Sequence, residues 1–287
     1  MNKQFARKTF AVGMLIPAVI FLAVTTIYPM VFTAYYGFTD FSLLKKEVHF
    51  VGWENYKSLL KNGYFQKAIW NTVKFTLIST LLEMVFGLLL AVFVKSLKFG
   101  QKVMRTLLLL PYLLPTVTVA LAFRMMLSNN YGIVNTWLTA LHLPVYNWFS
   151  DIHTAFSMLV AIDVWQNTPF VFLLLYASLQ GISESQYEAA RMDGAGAWKQ
   201  LTRITIPNIK NGLLLCALLR TIDGFRLFEK VNLLTGGGPA NSTTTITQYL
   251  YSYGIKSLKF GLGSAGTIVM TVLVMLLSIV YIRKSMK

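Results

Sequence analysis

The sequence predicts an all-α integral membrane protein with six transmembrane helices. Of its 287 residues, 55% are hydrophobic and only 13% are charged, whereas soluble domains carry about 25% charged residues. A helix needs roughly 20 mostly apolar residues to cross a bilayer, and a spanning backbone must satisfy its own hydrogen bonds. We interpret residues 1–287 as a single transmembrane domain. Its spans lie near residues 10–36, 70–94, 105–127, 154–178, 211–233 and 260–282.

We interpret the first span as a retained anchor rather than a signal peptide. Residues 9–39 contain no charged side chain, which makes the apolar stretch longer than the core of a signal peptide. Several of the spans, including the first, contain prolines, which free backbone carbonyls and permit kinks in a moving helix bundle. Proline is also common in membrane helices, so these positions alone do not establish movement. The prolines within the spans are Pro17, Pro29, Pro111, Pro115 and Pro169.

The basic residues set the expected orientation. With the amino terminus in the cytoplasm, the inside segments hold 14 Lys and Arg residues and the outside loops hold seven. Excess Lys and Arg on the cytoplasmic side is typical of membrane proteins, so we expect both termini in the cytoplasm of a bacterial plasma membrane. The formal net charge of +15 comes largely from the ends of apolar segments. A membrane-surface role therefore explains it better than nucleic-acid binding.

A polar island at residues 181–210 interrupts the apolar spans and predicts a helix–turn–helix. Ser183 can cap a helix with Gln186 three residues later, as in a capping box. Gly194 and Gly196 permit a sharp turn, and residues 198–206 can form a second helix. In the expected orientation this loop lies in the cytoplasm.

The island resembles the EAA loop of bacterial ABC importer permeases, in which Glu-Ala-Ala, Gly and Ile-x-Leu-Pro recur at fixed spacing. The one departure here is Ile206, where leucine is usual. The resemblance implies a type I ABC importer fold, in which this loop couples the permease to a cytoplasmic ATPase. The residues assigned to coupling are Glu188, Ala189, Ala190, Asp193, Gly194, Ile204 and Pro207.

Three further strings resemble the maltose-type carbohydrate permeases: LLLLPYLLP at 107–115, DVWQNTPF at 163–170 and LTGGGP at 234–239. In that family the sugar cavity lies between the corresponding spans. The resemblance, with the hydrogen-bonding and aromatic side chains that sugars prefer, assigns a substrate pathway to Asp163, Trp165, Gln166, Asn167, Phe170, Arg220, Asp223, Gly224 and Leu227. Arg220 and Asp223 depart from the maltose system, which has neutral groups there.

Ionisable side chains within spans point to the same region, because they are costly in lipid and usually face a cavity or a partner. Asp163 is one of these side chains. Four others lie three residues apart, a spacing that places neighbours on one helical face: Arg220, Asp223, Arg226 and Glu229. Two interpretations remain open: a substrate cavity, or a salt-bridge ladder that only fixes helix packing. We expect structural pairing or an interface position for Glu83 and Arg124.

The partners follow from what the chain lacks and from the resemblance. The sequence has no GxxxxGK[ST] pattern, so ATP and Mg²⁺ are expected on a partner ATPase dimer and no cofactor or metal on this chain. One six-helix half cannot enclose a cavity, which implies a second homologous permease in a heterodimer. An extracellular solute-binding protein is expected to deliver the solute.

Three alternatives to sugar import are import of a phosphorylated polyol, ion-coupled secondary transport and intramembrane catalysis. The same machinery could import a phosphorylated polyol such as glycerol phosphate, since Arg220 suits an anion. An ion-coupled secondary transporter would use intramembrane carboxylates such as Asp163 but has no reason to carry the EAA loop. An intramembrane enzyme is disfavoured, because the three histidines fall in expected outside loops and HExxH and GxSxG are absent. No catalytic residue is assigned.

Overall fold

The computed structural model describes residues 3–285, and side chains over residues 13–283. Within this range the chain is helical, with one isolated antiparallel bridge between Thr39 and Phe50 and no strand. The prediction of an all-α fold is confirmed. Part of the predicted orientation rests on basic side chains outside the described range, namely Lys3, Arg7, Lys8, Lys284 and Lys287.

The helices are as follows in chain order: α1 (Lys3–Leu22), α2 (Tyr28–Tyr36), α3 (Glu54–Lys61), α4 (Gly63–Ser96), α5 (Gln101–Leu113), α6 (Thr116–Met126), α7 (Ile133–Ala140), α8 (Ala155–Gln180), α9 (Glu184–Met192), α10 (Ala197–Gln200), α11 (Ile206–Asn208), α12 (Lys210–Phe225), α13 (Glu229–Leu234), α14 (Ile246–Leu250) and α15 (Phe260–Ser285). Helical turns of the π type follow α1, α10 and α14, at Ala23–Ile27, Leu201–Thr205 and Tyr251–Ile255.

The chain forms two compact units. The first comprises Met1–Asn62 and Leu250–Val272, and the second comprises Gly63–Tyr249 and Leu273–Lys287. Helix α15 begins in the first unit and ends in the second. The residues assigned to coupling and to the substrate pathway all belong to the second unit.

In the first unit, α1, a π-helical turn and α2 run on from one another. Gly13–Tyr36 is a 24-residue stretch long and apolar enough to cross a membrane, and its apolar side chains are exposed. An apolar helix that buries none of its side chains suits a lipid environment.

The loop after α2 in the first unit is held by polar contacts. The Asp40 carboxylate accepts hydrogen bonds from Lys45 Nζ at 2.6 Å and the His49 backbone N–H at 2.7 Å. These bonds lower the pKa of Asp40 to about 2, so this carboxylate is ionised at physiological pH. Asn55 on α3 donates to the carbonyls of Gly37 and Thr39, which fixes the loop against the helix.

In the second unit, α4 and α8 form the centre. Both are long and apolar enough to span a membrane. At Gly87 the two helices approach so closely that a Cβ atom there would lie 2.7 Å from Val171 Cγ1 and 3.0 Å from the Phe172 backbone nitrogen. Small residues at such contacts are typical of membrane helix packing.

The predicted span at 105–127 is a bent pair of helices. Helices α5 and α6 meet at an angle of 86°. The break falls at Leu114, whose backbone is extended, and at Pro115, which lacks an N–H and disfavours helix in the residue before it. The Leu114 carbonyl that the break frees accepts a hydrogen bond from Gln166 Nε2 at 3.0 Å.

The predicted span at 211–233 is also interrupted. Helix α12 ends at Phe225 and α13 begins at Glu229, so the single helix expected over this span is not observed. The segment is rich in ionisable side chains, and the carbonyl of Leu227 within the break accepts hydrogen bonds from the hydroxyls of Thr245 and Thr247. These hydroxyls replace the helical hydrogen bonds that the break removes.

Candidate functional site

The polar island forms the helix–turn–helix predicted from its sequence. Helix α9 ends at Met192, and Gly194 takes a φ of +71°, which glycine adopts without the Cβ penalty of other residues. The Ala195 N–H then donates to the Ala190 carbonyl at 2.8 Å, closing the turn before α10. Gly196 keeps a φ of −66°, so the turn requires one of the two predicted glycines.

The predicted capping box at Ser183 is not present. Ser183 occupies the N-cap position of α9 but makes no side-chain capping hydrogen bond. Its hydroxyl lies 2.7 Å from that of Ser185. The Gln186 side chain instead accepts a hydrogen bond from Asn208 Nδ2 at 3.1 Å, which ties the two limbs of the loop together.

One side of the loop is exposed. Glu188, Ala189 and Asp193 are exposed, and Met192 and Trp198 are 88% and 75% exposed. Both large apolar side chains are therefore accessible for contact with another molecule. Met192 and Trp198 were not predicted from the sequence, although their apolar character within a polar segment was a signal that could have identified them.

The other side of the loop is anchored. Ile204 and Tyr187 pack against a core cluster that includes Phe172, Leu175 and Ile209. Pro207 lies in the first turn of α11 and is exposed. The loop therefore presents Glu188 and Ala189 outward while its opposite side is continuous with the core of the second unit.

Two ionisable residues of the predicted substrate pathway, Asp163 and Arg220, belong to a buried cluster centred on Arg220. Its Nε donates to Glu83 Oε2 at 2.6 Å, and its Nη2 donates to Glu83 Oε1 at 3.0 Å and to Asp163 Oδ2 at 3.2 Å. Lys230 Nζ donates to Asp163 Oδ1 at 2.5 Å. We call Glu83, Asp163, Arg220 and Lys230 the ionic cluster; each is at most 4% exposed.

The ionic cluster connects helices α4, α8, α12 and α13. Arg220 Nη1 also donates to Asp223 Oδ2 at 3.3 Å, but the Asp223 side chain is 52% exposed. Buried charges persist only when they are paired and hydrogen-bonded, and the two cations and two carboxylates of the cluster balance formally. Asp163 and Arg220 are thus paired with each other inside the helix bundle, whereas Asp223 is a half-exposed carboxylate bonded to Arg220.

Lys230 of this cluster was not predicted from the sequence. For Glu83 the sequence predicted structural pairing or an interface position, without indicating that Arg220 is its partner. Each is an ionisable residue in an apolar surrounding, which was a usable signal. Arg124, the other residue assigned a structural role, donates from Nη1 to the Leu233 carbonyl at 2.9 Å.

The remaining pathway residues on α8 have mixed environments. Asn167 is half-buried and donates from Nδ2 to Asp163 Oδ1 at 2.9 Å. Gln166 is 3% exposed, and its Oε1 has no hydrogen-bond partner. Trp165 is 44% exposed and lies edge-on to Phe123, whereas Phe170 stacks on Tyr112 with ring centroids 5.4 Å apart.

Gly224 and Leu227 serve packing in this structure. A Cβ on Gly224 would lie 2.7 Å from Thr76 Oγ1, so glycine permits the close approach of α12 to α4. Leu227 is 9% exposed within a core cluster that includes Leu159 and Val231.

A groove of about 1280 Å³ lies along α4, α5 and α8, but it does not coincide with the ionic cluster. Leu82, Phe86 and other apolar side chains form most of its lining. Of the predicted pathway residues it includes only Trp165. Its composition suits lipid chains or apolar side chains better than a hydroxyl-rich solute.

Several helices long and apolar enough to cross a membrane are typical of a multi-pass membrane protein. Comparison with known proteins identifies the class. The chain belongs to the family of inner membrane components of binding-protein-dependent transport systems, whose family model matches residues 83–283. It is an ABC transporter permease subunit and not an enzyme.

Similar curated proteins span nearly the whole chain. The trehalose/maltose transport system permease protein MalF of Thermococcus litoralis is 35% identical over 270 residues, covering 94% of this chain and 91% of that protein. The sulfoquinovosyl glycerol transport system permease protein SmoG of Agrobacterium fabrum is 35% identical, covering 96% and 90%. These similarities agree with the resemblance to carbohydrate permeases in the sequence.

Solved structures share the fold. A bacterial ABC transporter involved in the import of the acidic polysaccharide alginate matches with a TM-score of 0.86 and 24% identity, over 99% of this chain and 97% of that one. An alginate ABC transporter in complex with a pentasaccharide-bound periplasmic protein matches with a TM-score of 0.84. At this identity the match establishes the type I importer fold.

Proposed function

We propose that this chain is one of two unlike permease subunits of an ATP-driven importer, which takes up a sugar delivered by an extracellular binding protein. The observation that carries the proposal is the loop at 181–210. Its exposed side bears Glu188 and Ala189, and its other side packs into the core through Ile204. A surface of this kind suits docking of a cytoplasmic ATPase dimer that binds ATP and Mg²⁺.

The orientation in the bacterial plasma membrane follows from this role. The loop must face the cytoplasm to reach the ATPase, which also places both termini there, in agreement with the distribution of Lys and Arg. The segments that carry Glu47 and Gly237 then face the binding protein outside.

A neutral oligosaccharide is the solute that the ionic cluster favours. Arg220 directs four hydrogen bonds to three carboxylates, so it has little capacity left for an anion. Of the three carboxylates bonded to Arg220, Asp223 is the one that remains half-exposed, and its charge repels a phosphorylated polyol. Asn167 and Trp165 supply an amide and an aromatic face of the kind that sugars bind.

An ion-coupled secondary transporter is less consistent with the structure. Such a transporter needs an intramembrane carboxylate free to take up a proton or sodium ion. The two buried carboxylates, Glu83 and Asp163, are both held by cations, and the ATPase-coupling loop has no role in such a mechanism.

Docking is tested by purifying the chain with its partners from membranes. Glu188→Ala is expected to reduce retention of the ATPase and ATP-dependent uptake while the chain still inserts. Glu47→Ala, an exposed glutamate in the first outside loop, is the matched control and is expected to retain the ATPase. Full retention and uptake with Glu188→Ala contradict the proposal.

The solute is tested in proteoliposomes that contain the complex and its binding protein. Neutral di- to tetrasaccharides are expected to stimulate ATP hydrolysis and to accumulate, whereas glycerol 3-phosphate is expected to do neither. Stimulation by glycerol 3-phosphate alone supports the polyol alternative, and uptake driven by an ion gradient without ATP supports the secondary transporter.

A further inference from the structure

The cytoplasmic end of α4 is connected to two other parts of the second unit by one side chain. Lys95, in the last turn of α4, donates from Nζ to the Leu179 carbonyl at 2.9 Å. That carbonyl lies in the last turn of α8, where backbone acceptors lack helical partners and a cation interacts favourably with the helix dipole. Lys95 therefore joins the ends of α4 and α8.

The same ammonium group lies over an aromatic ring of the coupling loop. Lys95 Nζ is 4.9 Å from the ring centroid of Tyr187, within the range of a cation–π interaction. Tyr187 precedes Glu188 on α9 and is half-buried, whereas Glu188 and Ala189 are exposed. Its position thus differs from that of the residues assigned to ATPase docking.

Tyr187 also connects α9 with the second limb of the loop. Its hydroxyl lies 3.0 Å from the Thr205 hydroxyl, and Thr205 is 4% exposed. The tyrosine therefore contacts α4 with its ring and the segment before α12 with its hydroxyl.

The other polar contacts of α9 remain within the loop. Arg191 pairs with Glu184 at 2.7 Å, and Gln186 accepts from Asn208. The contact between Tyr187 and Lys95 is different, because it reaches a membrane-spanning helix. No other hydrogen bond, ion pair or cation–π contact of the described side chains on α9 does so.

We propose that Tyr187 is a positioning residue that transmits displacement of the coupling helix to the cytoplasmic ends of α4 and α8 through Lys95. This inference rests on the proposed importer function and deepens it. Glu188 and its neighbours hold the ATPase, and Tyr187 passes the ATPase movement into the helices that carry Glu83 and Asp163. If the contact between Tyr187 and Lys95 is lost, the ATPase is expected to stay bound while its hydrolysis of ATP is poorly coupled to transport.

The test is the number of sugar molecules taken up per ATP hydrolysed by the purified complex in proteoliposomes. Tyr187→Ala removes both contacts, Tyr187→Phe removes only the contact with Thr205, and Lys95→Met keeps an unbranched side chain without the charge. Lys98→Met, an exposed lysine in the turn after α4, is the matched control.

Tyr187→Ala and Lys95→Met are expected to retain the ATPase and to hydrolyse ATP, while uptake per ATP falls about fivefold or more, the lower end of typical allosteric coupling. The uptake per ATP of Tyr187→Phe is expected to lie between that of these variants and that of the wild type. Lys98→Met is expected to show the same uptake per ATP as the wild type.

Several outcomes overturn the role of Tyr187. Unchanged uptake per ATP in Tyr187→Ala and Lys95→Met means that the contact between Tyr187 and Lys95 transmits no movement. A parallel loss of uptake and ATP hydrolysis means that this contact only supports folding. Loss of the ATPase from the complex means that Tyr187 serves docking. A wild-type complex without ATP-dependent uptake contradicts the proposed function itself, and is thereby distinguished from a failure confined to the variants.

Discussion

Replacing Arg220 with alanine is expected to destabilise the second unit strongly, because this arginine holds two buried carboxylates. The substitution removes three hydrogen bonds to Glu83 and Asp163. A fourth bond, to the half-exposed Asp223, contributes little because water screens it. Three bonds at ~1.5 kcal/mol each amount to about 4.5 kcal/mol. This value agrees with the ~3–5 kcal/mol lost when one partner of a buried pair is removed.

Thermal unfolding of the purified complex in detergent measures this effect. At ~2–4 °C per kcal/mol for domains of comparable size, the midpoint is expected to fall by on the order of 10 °C. Arg226→Ala is the matched control. Arg226 lies in the same segment and is exposed, and no ion pair of its side chain occurs in the described part of the chain. Its effect is expected to stay within about 0.5 kcal/mol.

A double substitution distinguishes the effect of an unpaired buried charge from the effect of a lost side-chain volume at Arg220. Glu83→Leu with Arg220→Met removes one charge of each sign, while Lys230 and Asn167 still donate to Asp163. Replacing a buried pair by apolar groups is often neutral, so the double variant is expected to be more stable than Arg220→Ala. Equal midpoints for Arg220→Ala and Arg226→Ala refute the reasoning, as does a double variant no more stable than Arg220→Ala.

Three further substitutions test other parts of the second unit. Gly87→Val is expected to lower stability by ~1–3 kcal/mol through overpacking of α4 against α8, as measured by thermal unfolding; an unchanged midpoint contradicts the close approach. Gly194→Val is expected to lower stability by ~1–2 kcal/mol through the positive φ alone, since a Cβ atom there meets open space. Hydrogen exchange should rise in the coupling loop, and an unchanged exchange rate contradicts the turn. Asn71→Ala removes two hydrogen bonds to the carbonyls of Asn241 and Thr244 and should raise hydrogen exchange across residues 236–244. Replacing the exposed Asn211 with alanine should not raise it.

The fold and the coupling loop were predictable because their signals are local. Hydropathy identifies the apolar segments, although those at 105–127 and 211–233 are broken helices in the structure. The spacing from Glu188 to Pro207 predicts a helix, a turn and a second helix within one short stretch. The structure agrees at Gly194, the position where the turn requires a positive φ. The bend at Pro115 also has a local cause.

The ionic cluster was only partly predictable because its pairs are distant in sequence. Spacing on one helix relates Arg220 to Asp223, three residues away, but Glu83 lies 137 residues from Arg220 and Asp163 lies 67 residues from Lys230. Pairings of this kind depend on how four helices pack, which periodicity does not encode. The interruption between α12 and α13 has the same origin, since hydroxyls of a later segment satisfy its free carbonyl.

Affinity purification of this chain from its native membrane, with mass spectrometry of the proteins that co-purify, tests the central claim most directly. The account predicts recovery of a second, unlike multi-pass permease and an ATPase with a GxxxxGK[ST] motif. Glu188→Ala should retain the second permease and recover less of the ATPase. Recovery of the chain alone, or only with copies of itself, from membranes that support sugar uptake would contradict the account.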